Sequence, residues 1–560
     1  MLFIPEFSGN RKERRSGRFF ASMNMKRFYT YKNDRPETFR EMMELQLQKD
    51  PDRTAFVILD RHMQPQKVSV RTFMEQAEIL ADWMKNTMQG PERIIIAAAD
   101  DYRWILVFFA AMFSHHTVIT LNRDLPREEM LELNRNAEGR YLFYDPGYPE
   151  LAETFSMMPS ISMDGVEDIL RSAGDQKKET GRQSQKKTDE TSFSPDEPAA
   201  IFFTSGTTGL SKAVMLSEKN ILADINASSA IYRPKGGVVS VLPFYHSFGL
   251  VTGIFMPVNY SVPVTFCPSL RRMEKSLQAG KPQTMFMVPL MVETLHKKIF
   301  REIEKKNQLK KVEKAMKISR LLGYSGRSLK KKMFREIHDL FGGNLDVIIC
   351  GGAFLDQKYI DDFRDWGISI LNGYGITECS PVVAVNRTPD LKRGSVGQLV
   401  DGMEAMTSKD GELLIRGDIV MLGYANDDPE THKAIDEDGW LHTGDLGYAD
   451  EDGFLFLTGR LKNLIILSNG ENISPEQIEN ELELDPGVSE IQVYSEQGKI
   501  IAEICPEDEF LNSQSYFDQL IRTWNQGVPP QRQIASVRLR DKPFEKTATH
   551  KIRRKTGTDC

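Results

Sequence analysis

Residues 204–213 read Thr204-Ser205-Gly206-Thr207-Thr208-Gly209-Leu210-Ser211-Lys212-Ala213 and follow directly after the apolar run Ala199 to Phe203. The segment combines two glycines, whose bare backbone lets a ligand approach closely, with several hydroxyls and one lysine. Exposed backbone N–H groups, hydroxyl donors and a cation together suit the oxygens of a polyphosphate. Because a buried strand leading into such a turn is the usual placement of a phosphate-binding loop, we predict that this segment binds phosphate.

The segment differs from the Walker A pattern, which places Gly-Lys-Ser/Thr five residues after its first glycine. At that offset from Gly206 the chain has Ser211-Lys212-Ala213. A polar surface turn is the alternative interpretation of a short cluster of Ser, Thr and Gly. The phosphate prediction therefore depends on the motifs found elsewhere in the chain.

Length and composition are those of a multidomain globular protein. The chain has 560 residues, of which 40% are hydrophobic and 27% charged, and length alone favours roughly two to four domains. A formal net charge of −7 argues against a general nucleic-acid-binding protein. Five cysteines without Cys-x-x-Cys spacing indicate neither a disulfide framework nor a zinc site, and we expect a cytoplasmic protein.

The first 28 residues are predicted to form a basic, disordered tail. Residues 1–27 carry seven basic side chains against two acidic ones and lack the continuous apolar core of a secretory signal peptide. Translation starting at Met23 or Met25 is an alternative. The most apolar long stretch, Val241 to Phe266, is interrupted by polar residues and prolines, so we expect buried strands there and no transmembrane helix.

Strand and helix patterns alternate along the first 459 residues. Examples are the strand patterns Thr54 to Leu59 and Arg93 to Ala99 and the apolar helix pattern Trp104 to Phe113. Such alternation predicts an α/β fold with layered sheets. We expect a large domain over residues 29–459, with a solvated, polar linker at 175–198 that leads into the predicted phosphate loop.

After residue 459 the pattern changes to that of a small α+β domain. Residues 460–560 contain strand patterns at Glu490 to Tyr494 and Ile500 to Ile504 and a helix pattern from Pro475 to Leu484. A unit of about 100 residues is a typical domain size. We therefore predict a second, C-terminal domain.

Residues 291–340 form a basic segment within an acidic chain. They hold fifteen Lys and Arg against six Asp and Glu, and apolar residues recur at helical spacing from Leu295 to Met316. One helical face can then pack while the other is basic. A merely solvated face is the simplest interpretation, and an anionic membrane surface or an acidic partner protein are the alternatives.

Two further segments carry groups that suit a nucleotide. Asn372-Gly373-Tyr374-Gly375-Ile376-Thr377-Glu378 offers an aromatic ring, open glycine backbone, a hydroxyl and a carboxylate. Tyr374 can stack on a purine, and Glu378 can hold a magnesium ion that bridges phosphate oxygens. In Leu441-His442-Thr443-Gly444-Asp445-Leu446-Gly447, the Asp445 carboxylate can accept hydrogen bonds from both ribose hydroxyls. The alternatives are a core aromatic for Tyr374 and surface carboxylates for Glu378 and Asp445.

A third segment, Gly459-Arg460-Leu461-Lys462-Asn463, supplies a guanidinium for ribose or phosphate at Arg460. A simple salt bridge is the alternative role for Arg460.

Together these segments resemble the acyl-adenylate-forming superfamily of acyl-CoA synthetases, peptide-synthetase adenylation domains and luciferases, from about residue 35 to 556. The segments that carry the resemblance also include Leu242 to His246, Gly351-Gly352-Ala353, Asn469 to Ile473 and Lys546 to Arg553.

The resemblance implies a two-step reaction that uses ATP, Mg²⁺ and CoA. A carboxylic acid is first joined to AMP with release of pyrophosphate, and a thiol then displaces AMP to give a thioester. Lys551 would bridge the substrate carboxylate and the α-phosphate, His246 would lie beside the carboxylate, and Glu378 with Thr204 would hold Mg²⁺. The nucleotide-binding residues that the resemblance implies are Thr204, Ser205, Gly206, Thr207, Thr208, Gly209, Lys212, Gly351, Gly352, Ala353, Asn372, Gly373, Tyr374, Gly375, Thr377, Asp445 and Arg460.

The resemblance also implies that the small domain rotates between the two steps. Residues 460–463 would form the hinge, with Lys462 at its centre, and Asn469, Gly470 and Glu471 would line the CoA tunnel. Two departures from the family pattern are Ser211-Lys212-Ala213, where relatives have Pro-Lys-Gly, and His550 before Lys551, where relatives have glycine.

The lysine-rich stretch between Pro289 and Gly351 resembles the fatty acyl-CoA synthetase branch. Apolar residues around Phe248 to Met256 are candidates for an acyl tunnel, although a sheet core has the same pattern. We therefore predict a medium- to long-chain fatty acid as substrate and CoA as acceptor. The alternatives are transfer to an acyl carrier protein and a nucleotide-binding protein that has lost catalysis, and peripheral contact with a membrane is a further expectation.

Overall fold

The computed structural model describes residues 21–22, 34–180, 194–204, 211–323, 326–387, 391–466, 472–511, 513–545, 552 and 554. In chain order the strands are β1 (Ala21–Ser22), β2 (Thr54–Leu59), β3 (Pro65–Ser69), β4 (Arg93–Ala97), β5 (Thr117–Thr120), β6 (Tyr141–Tyr144), β7 (Ser160–Ser162), β8 (Pro198–Thr204), β9 (Lys212–Ser217), β10 (Val238–Ser240), β11 (Val264–Phe266), β12 (Thr284–Met287), β13 (Val347–Cys350), β14 (Ser369–Gly375), β15 (Val382–Val385), β16 (Gly397–Leu399), β17 (Glu404–Thr407), β18 (Glu412–Arg416), β19 (Gly423–Tyr424), β20 (Leu441–Ala449), β21 (Phe454–Arg460), β22 (Ile465–Ile466), β23 (Asn472–Ile473), β24 (Val488–Glu496), β25 (Lys499–Pro506) and β26 (Ile534–Leu539).

The helices, in the same order, are α1 (Phe39–Lys49), α2 (Val70–Thr87), α3 (Tyr102–Phe113), α4 (Arg127–Ala137), α5 (Glu150–Thr154), α6 (Met163–Thr180), α7 (Glu218–Ser229), α8 (Met256–Asn259), α9 (Met273–Gly280), α10 (Pro289–Lys305), α11 (Leu309–Leu321), α12 (Arg327–Met333), α13 (Arg335–Leu340), α14 (Gln357–Trp366), α15 (Asp428–Ala434), α16 (Pro475–Leu482) and α17 (Gln514–Gln526). The prediction of buried strands from Val241 to Phe266 is wrong for most of this stretch, because a π-helical segment, Phe248–Phe255, runs directly into α8 and only Val264–Phe266 (β11) is a strand.

A seven-stranded sheet with the order β19-β9-β8-β5-β4-β6-β7 forms the first layer. Strands β8, β5, β4, β6 and β7 are parallel, whereas β9 runs antiparallel to both β8 and β19. The parallel strands are short and apolar because helices cover both faces of such a sheet. The predicted strand at Arg93 to Ala99 is confirmed, and β4 ends at Ala97.

A second sheet of fourteen strands continues from a parallel half into an antiparallel half. Strands β2, β11, β10, β12, β13 and β14 are parallel neighbours. From β14 the sheet continues through β15, β16, β21, β20, β18 and β17 in antiparallel register. The change of direction at β14 brings the carboxyl ends of the parallel strands beside the loops of the antiparallel half.

Helix α3 lies in a core to which both sheets contribute. Every residue of α3 except Arg103 is buried, and its phenylalanines pack edge to face against Phe39, with ring centroids 5.5 Å away for Phe108 and 5.4 Å for Phe109. A helix that is apolar on all sides is buried on all sides. The apolar helix predicted from Trp104 to Phe113 is therefore confirmed, and with it the layered α/β architecture.

The small C-terminal unit has its own core. Strand β25 pairs with β24 in antiparallel and with β26 in parallel register, and α16 and α17 pack against this sheet. Buried aliphatic and aromatic residues such as Ile491, Ile504 and Phe517 fill the space between them. The predicted α+β character is confirmed, although α16 ends at Leu482 instead of Leu484.

Two predicted segments are only partly described. Helix α6 continues to Thr180, six residues into the expected linker, and residues 181–193 lie outside the described part of the chain, as do residues 1–20 and 23–33. The basic segment forms helices α10 to α13, with Ile299, Ile303 and Met316 buried as its spacing predicted. Among the described residues, no helix combines the length and apolar character needed to cross a bilayer.

A buried carboxyl joins α7 to α1. The Glu218 side chain is 3% exposed and accepts a hydrogen bond of 2.6 Å from the backbone N–H of Phe39. Burial raises the pKa of Glu218 to about 7, against the opposing effects of that hydrogen bond and of Arg40. The folded state therefore favours the protonated form of Glu218. As pH rises towards 7 this carboxyl must lose its proton in the buried site, and the free energy of unfolding falls.

We predict that Glu218→Gln reduces the pH dependence of stability. Between pH 5 and pH 8 the free energy of unfolding of the wild-type large domain should fall by about 2 kcal/mol more than that of the variant. Denaturant unfolding at both pH values measures this difference, with exposed Glu44→Gln as control. Parallel pH profiles for wild type and Glu218→Gln would contradict the assignment.

Candidate functional site

A cavity of about 780 Å³ opens where the two large sheets meet the β20–β21 hairpin. Among the residues that line it are twelve of the predicted site residues: Thr204, Lys212, His246, Gly351, Gly352, Ala353, Gly373, Tyr374, Gly375, Thr377, Glu378 and Arg460. Asp445 lies behind this lining, where it accepts a hydrogen bond from Tyr374 and forms an ion pair with Arg460. Segments separated by up to several hundred residues in sequence therefore contribute to one cavity.

Strand ends explain why these residues meet. Thr204 is the last residue of β8, Gly351 directly follows β13, and Gly375 ends β14. Ligands of open α/β sheets bind at the carboxyl ends of parallel strands, where loops leave the sheet. At Gly375 a Cβ atom would lie 1.9 Å from the carbonyl oxygen of Pro381, so only glycine permits this close approach of two backbones.

Asp445 is bonded to two predicted nucleotide-binding residues. Its Oδ2 accepts a hydrogen bond of 2.7 Å from the Tyr374 hydroxyl, and its Oδ1 lies 2.8 Å from Nε of Arg460. Burial, and secondly the neighbouring carboxylate, raise the pKa of Tyr374 well above its ordinary value, so the phenol stays a donor. A carboxylate oxygen can accept more than one hydrogen bond, so both oxygens of Asp445 retain acceptor capacity beside these two contacts.

We predict that Asp445→Asn lowers kcat/KM for ATP about a hundredfold, because Arg460 loses its charged partner and the amide cannot accept hydrogen bonds on both sides. Steady-state kinetics with varied ATP provides the measurement. Asp450→Asn, in the turn beyond the same strand, is the matched control. An unchanged kcat/KM would contradict the assignment of Asp445 to the nucleotide site.

Lys212 lies at the phosphate-loop end of the cavity and contacts residues that the sequence did not single out. Its Nζ is 2.7 Å from Oε2 of Glu430 and 4.5 Å from the ring centroid of Tyr424. Lys212, and secondly Lys433, lower the pKa of Glu430 to about 2. This ion pair holds the Lys212 side chain at the cavity wall.

Tyr424 connects this lysine to Glu378. The Tyr424 hydroxyl donates a hydrogen bond of 3.1 Å to Oε1 of Glu378, and burial, followed by Glu378, raises the pKa of the phenol. Tyr424 reaches the cavity because β19, only two residues long, pairs with β9 next to Lys212. A tyrosine after a glycine in an irregular stretch carries no periodic signal, which is why sequence reasoning missed it.

Glu378 and Thr204 line the same cavity, as expected for residues that hold Mg²⁺ together with phosphate oxygens. One oxygen of Glu378 is bonded to Tyr424, and its carboxylate retains further acceptor capacity. Across the described residues, no cluster of three His, Cys, Asp or Glu side chains could hold a metal. Mg²⁺ commonly takes only one or two protein carboxylates and completes its coordination with substrate phosphates and water, so a single carboxylate fits this ion.

The segment Leu242 to His246 also borders the cavity. His246 lines the cavity with its ring 4.5 Å from that of Tyr245, and the backbone N–H of Phe244 donates a hydrogen bond of 2.9 Å to Asp100. Burial raises the pKa of Asp100 to about 7. Asp100, which also lines the cavity, is a second residue that sequence reasoning missed, since it follows β4 without any motif.

Beyond His246 the cavity becomes apolar. The π-helical segment Phe248–Phe255 and α8 contribute Phe248 and Met256 to its wall, and both belong to the stretch named above as a candidate for an acyl tunnel. Phe286 of β12 completes this region, and Leu270 and Leu290, which are 61% and 48% exposed, lie on the lining nearer solvent. One end of the cavity is therefore polar, and the other is hydrophobic.

Several predicted site residues lie outside the described part of the chain: Ser205, Gly206, Thr207, Thr208, Gly209, Asn469, Gly470, Glu471 and Lys551. Asn372 is described in β14 but does not line the cavity. The predicted hinge follows β21 as the single helical turn Leu461–Asn463. Partial burial, and secondly Arg460, lower the pKa of Lys462 within this turn.

The family model described as AMP-binding enzyme matches residues 43–425 of this chain. Among curated proteins, the chain is 28% identical over 460 residues to the long-chain-fatty-acid–CoA ligase FadD15 of Mycobacterium bovis, covering 75% of this chain and 74% of the relative. It is 29% identical over 347 residues to long-chain-fatty-acid–CoA ligase 5 of Rattus norvegicus, covering 57% of this chain and 50% of the relative.

Among solved structures, the fold is similar to that of o-succinylbenzoate CoA synthetase from Bacillus subtilis in complex with its acyl-adenylate intermediate. The TM-score is 0.72 at 20% identity, over 91% of this chain and 96% of the other. A fatty acyl CoA synthetase from Mycobacterium tuberculosis gives a TM-score of 0.65 at 19% identity, over 92% and 96% of the two chains. The layered architecture of the large domain is thus shared with these structures.

Proposed function

Since the chain belongs to the AMP-binding enzyme family, we propose that it activates a medium- to long-chain fatty acid with ATP and transfers the acyl group to CoA. At the coarser level the protein is an AMP-forming acid–thiol ligase, an acyl-adenylate-forming enzyme that uses ATP and CoA. The chain length of the acid and the role of each site residue belong to the proposal.

One observation carries the choice of a fatty acid. The same cavity of about 780 Å³ joins a polar end, with Lys212 and Glu378, to an apolar end, with Phe248 and Met256. A carboxylate at the junction would face the phosphates while its hydrocarbon chain left water. Apolar burial contributes about 0.8 kcal/mol per CH₂ group, so longer chains gain affinity until the cavity is full.

In the first step an oxygen of the fatty acid carboxylate attacks the α-phosphorus of ATP. A new C–O–P linkage forms, the bond between the α-phosphorus and the bridging oxygen breaks, and pyrophosphate leaves with its electron pair. Mg²⁺, held by Glu378 and Thr204, would neutralise charge on the phosphates. Lys212 would bind the phosphates, Tyr374 and Asp445 would hold the nucleoside, and His246 would orient the carboxylate.

In the second step the CoA thiolate attacks the acyl carbon. The C–S bond forms, the bond from the acyl carbon to the AMP oxygen breaks, and AMP leaves. We propose that Lys551 serves the first step only and that rotation about Lys462 then brings Asn469, Gly470 and Glu471 to the cavity for the second. The single helical turn Leu461–Asn463 lies between β21 and the C-terminal unit, which is the position that a hinge between the two would need.

Acid-dependent exchange of pyrophosphate into ATP tests the proposal. Saturated fatty acids of increasing length, aryl acids and amino acids are compared at equal concentration. Exchange should increase through the medium-chain acids and reach its maximum with medium- or long-chain substrates. Preference for aryl or amino acids would refute the substrate class, and absence of exchange with every acid would refute the assignment of the site residues.

An acyl carrier protein is the second candidate acceptor. The basic surface of helices α10 to α13 has the charge that would attract an acidic carrier. Thioester formation is therefore measured with free CoA and with a phosphopantetheinylated carrier in parallel. We expect a higher kcat/KM with CoA, and the reverse order would favour the carrier.

A further inference from the structure

Buried side chains hold the turn between β18 and β19 through three successive backbone carbonyls. Nδ2 of Asn220 donates a hydrogen bond of 2.7 Å to the carbonyl oxygen of Asp418 and one of 3.0 Å to that of Val420. Between them, the Ser380 hydroxyl donates a hydrogen bond of 2.8 Å to the carbonyl oxygen of Ile419. The backbone of this turn is therefore fixed by side chains from two other parts of the chain, α7 and the loop that follows β14.

Asn220 lies in the first turn of α7 and uses its whole amide group. Its Oδ1 accepts a hydrogen bond of 3.0 Å from the backbone N–H of Ser217, while its Nδ2 makes the two bonds to the turn. The opposite orientation of the amide would place its oxygen against two carbonyl oxygens, so the partners decide the orientation. The side chain is 7% exposed, and a buried amide is tolerated only when its donors and acceptor have partners.

On its other side, this turn is bonded to Glu378. We call residues 418–421 the 418–421 segment. The backbone N–H of Met421 donates a hydrogen bond of 2.9 Å to the carbonyl oxygen of Glu378, and Ser380 lies only two residues after Glu378. Beyond the segment, the Tyr424 hydroxyl donates its hydrogen bond of 3.1 Å to the Glu378 carboxylate. Both the backbone and the side chain of Glu378 are thus attached to this stretch of chain.

The same stretch is also attached to the strand that begins at Lys212. After the 418–421 segment, the backbone N–H of Leu422 donates a hydrogen bond of 3.0 Å to the carbonyl oxygen of Met215 in β9. Helix α7 directly follows β9, so Asn220 belongs to the strand–helix unit that carries Lys212. Its side chain therefore links this unit to the backbone that holds Glu378.

A second buried polar residue of α7 holds the chain after Glu378. Oδ1 of Asp224 accepts a hydrogen bond of 3.2 Å from the backbone N–H of Val382, and the Asp224 side chain is fully buried. A spacing of four residues places Asn220 and Asp224 on the same face of α7. One face of this helix thus supports the Glu378 loop at two separate points.

We propose that Asn220 positions the Glu378 carboxylate for adenylate formation by holding the 418–421 segment. Asn220 itself does not line the cavity, whereas Glu378 and Lys212 both do. It would therefore act through Tyr424 and the backbone, as groups behind a metal ligand orient that ligand. The inference rests on the proposed role of Glu378 in holding Mg²⁺ and adds to that role the residue that fixes its geometry.

Asn220→Asp tests the proposal, because the carboxylate keeps the acceptor for Ser217 but loses both donors to the 418–421 segment. The Mg²⁺ concentration for half-maximal acid-dependent pyrophosphate exchange should rise about tenfold, and exchange at saturating Mg²⁺ should slow about tenfold, as is typical for residues behind a metal ligand. Thioester formation from synthetic acyl-AMP and CoA should stay at the wild-type rate, since no bond to phosphorus forms in that step. A merely structural role would lower both half-reactions equally.

Ser217→Ala is the matched control at the same helix end. It removes the hydroxyl oxygen that accepts a hydrogen bond of 3.0 Å from the backbone N–H of Asn220, but it leaves the two bonds from Nδ2 in place. This variant should lose stability, as expected for a missing helix cap, and keep the wild-type Mg²⁺ requirement. Asn220→Ala introduces no charge and should shift the Mg²⁺ requirement in the same direction as Asn220→Asp. Circular dichroism and thermal unfolding report the folding of each variant.

Glu378→Gln, measured in parallel, separates this inference from the proposed function. An unchanged Mg²⁺ requirement in Glu378→Gln would refute the metal role of Glu378 and the inference with it. A raised requirement in Glu378→Gln, combined with a wild-type requirement in both Asn220 variants, would overturn the inference alone. Equal loss of both half-reactions, an equal shift in Ser217→Ala, or failure of both Asn220 variants to fold would also overturn it, because each would assign Asn220 to folding.

Discussion

Replacement of Lys551 by alanine should reduce acyl-adenylate formation about a thousandfold while changing the conversion of pre-formed acyl-AMP to the thioester by less than about threefold. The proposed cause is electrostatic. A cation about 4 Å from the developing charge at the α-phosphate contributes roughly 4 kcal/mol at an effective dielectric near 20. The thioester step forms no new bond to phosphorus and does not need this cation.

The two half-reactions of the Lys551→Ala variant are measured separately, by acid-dependent pyrophosphate exchange and by thioester formation from synthetic acyl-AMP and CoA. Exposed Lys542→Ala in the same domain is the control and should retain both activities. Equal loss of both half-reactions would contradict a role confined to the first step. Retention of full exchange activity would assign the cation to another residue.

Glu378→Gln should lower the rate of adenylate formation by about a thousandfold and raise the Mg²⁺ concentration needed for half-maximal activity. The amide keeps the size of the side chain and can still accept the hydrogen bond from Tyr424, which is 3.1 Å long in the wild type. What the variant loses is the negative charge facing the phosphate-loop end of the cavity. The expected defect is therefore one of metal and phosphate binding and not of folding.

Exchange rates across a Mg²⁺ titration provide the measurement for Glu378→Gln, and thermal unfolding reports its stability. Exposed Glu451→Gln serves as the carboxylate control. A normal Mg²⁺ requirement combined with a slow reaction would indicate that Glu378 acts on the substrate and does not bind the metal. A large loss of stability would instead make the carboxylate structural.

The sequence predicted elements whose signal is local. Strands β4 and β8 are continuous apolar runs, and α3 is apolar all round, so their burial follows from composition within a few residues. The motifs around Lys212, Glu378 and Arg460 could likewise be recognised from the sequence, because their glycines, hydroxyls and charged groups lie within short stretches. Their common order along the chain indicated the family before any contact was known.

Contacts between distant segments could not be predicted in this way. Lys212 and Glu430 are 218 residues apart, Asp100 and Phe244 are 144 apart, and Tyr374 and Asp445 are 71 apart. Each pair depends on which strands become neighbours in a sheet, a choice made by packing of the whole core. For this reason Tyr424, Glu430 and Asp100 carry no signal in the sequence yet border the cavity.

By itself, then, the amino-acid order determined the layered α/β class, the separate small unit and the chemistry available at each motif, because these depend on neighbours within a few residues. Only the tertiary structure decided that Asp445 is held between Tyr374 and Arg460 and that Lys212 is held by Glu430. These arrangements arise from long-range strand pairing and helix packing, where side chains distant in the chain exclude water together.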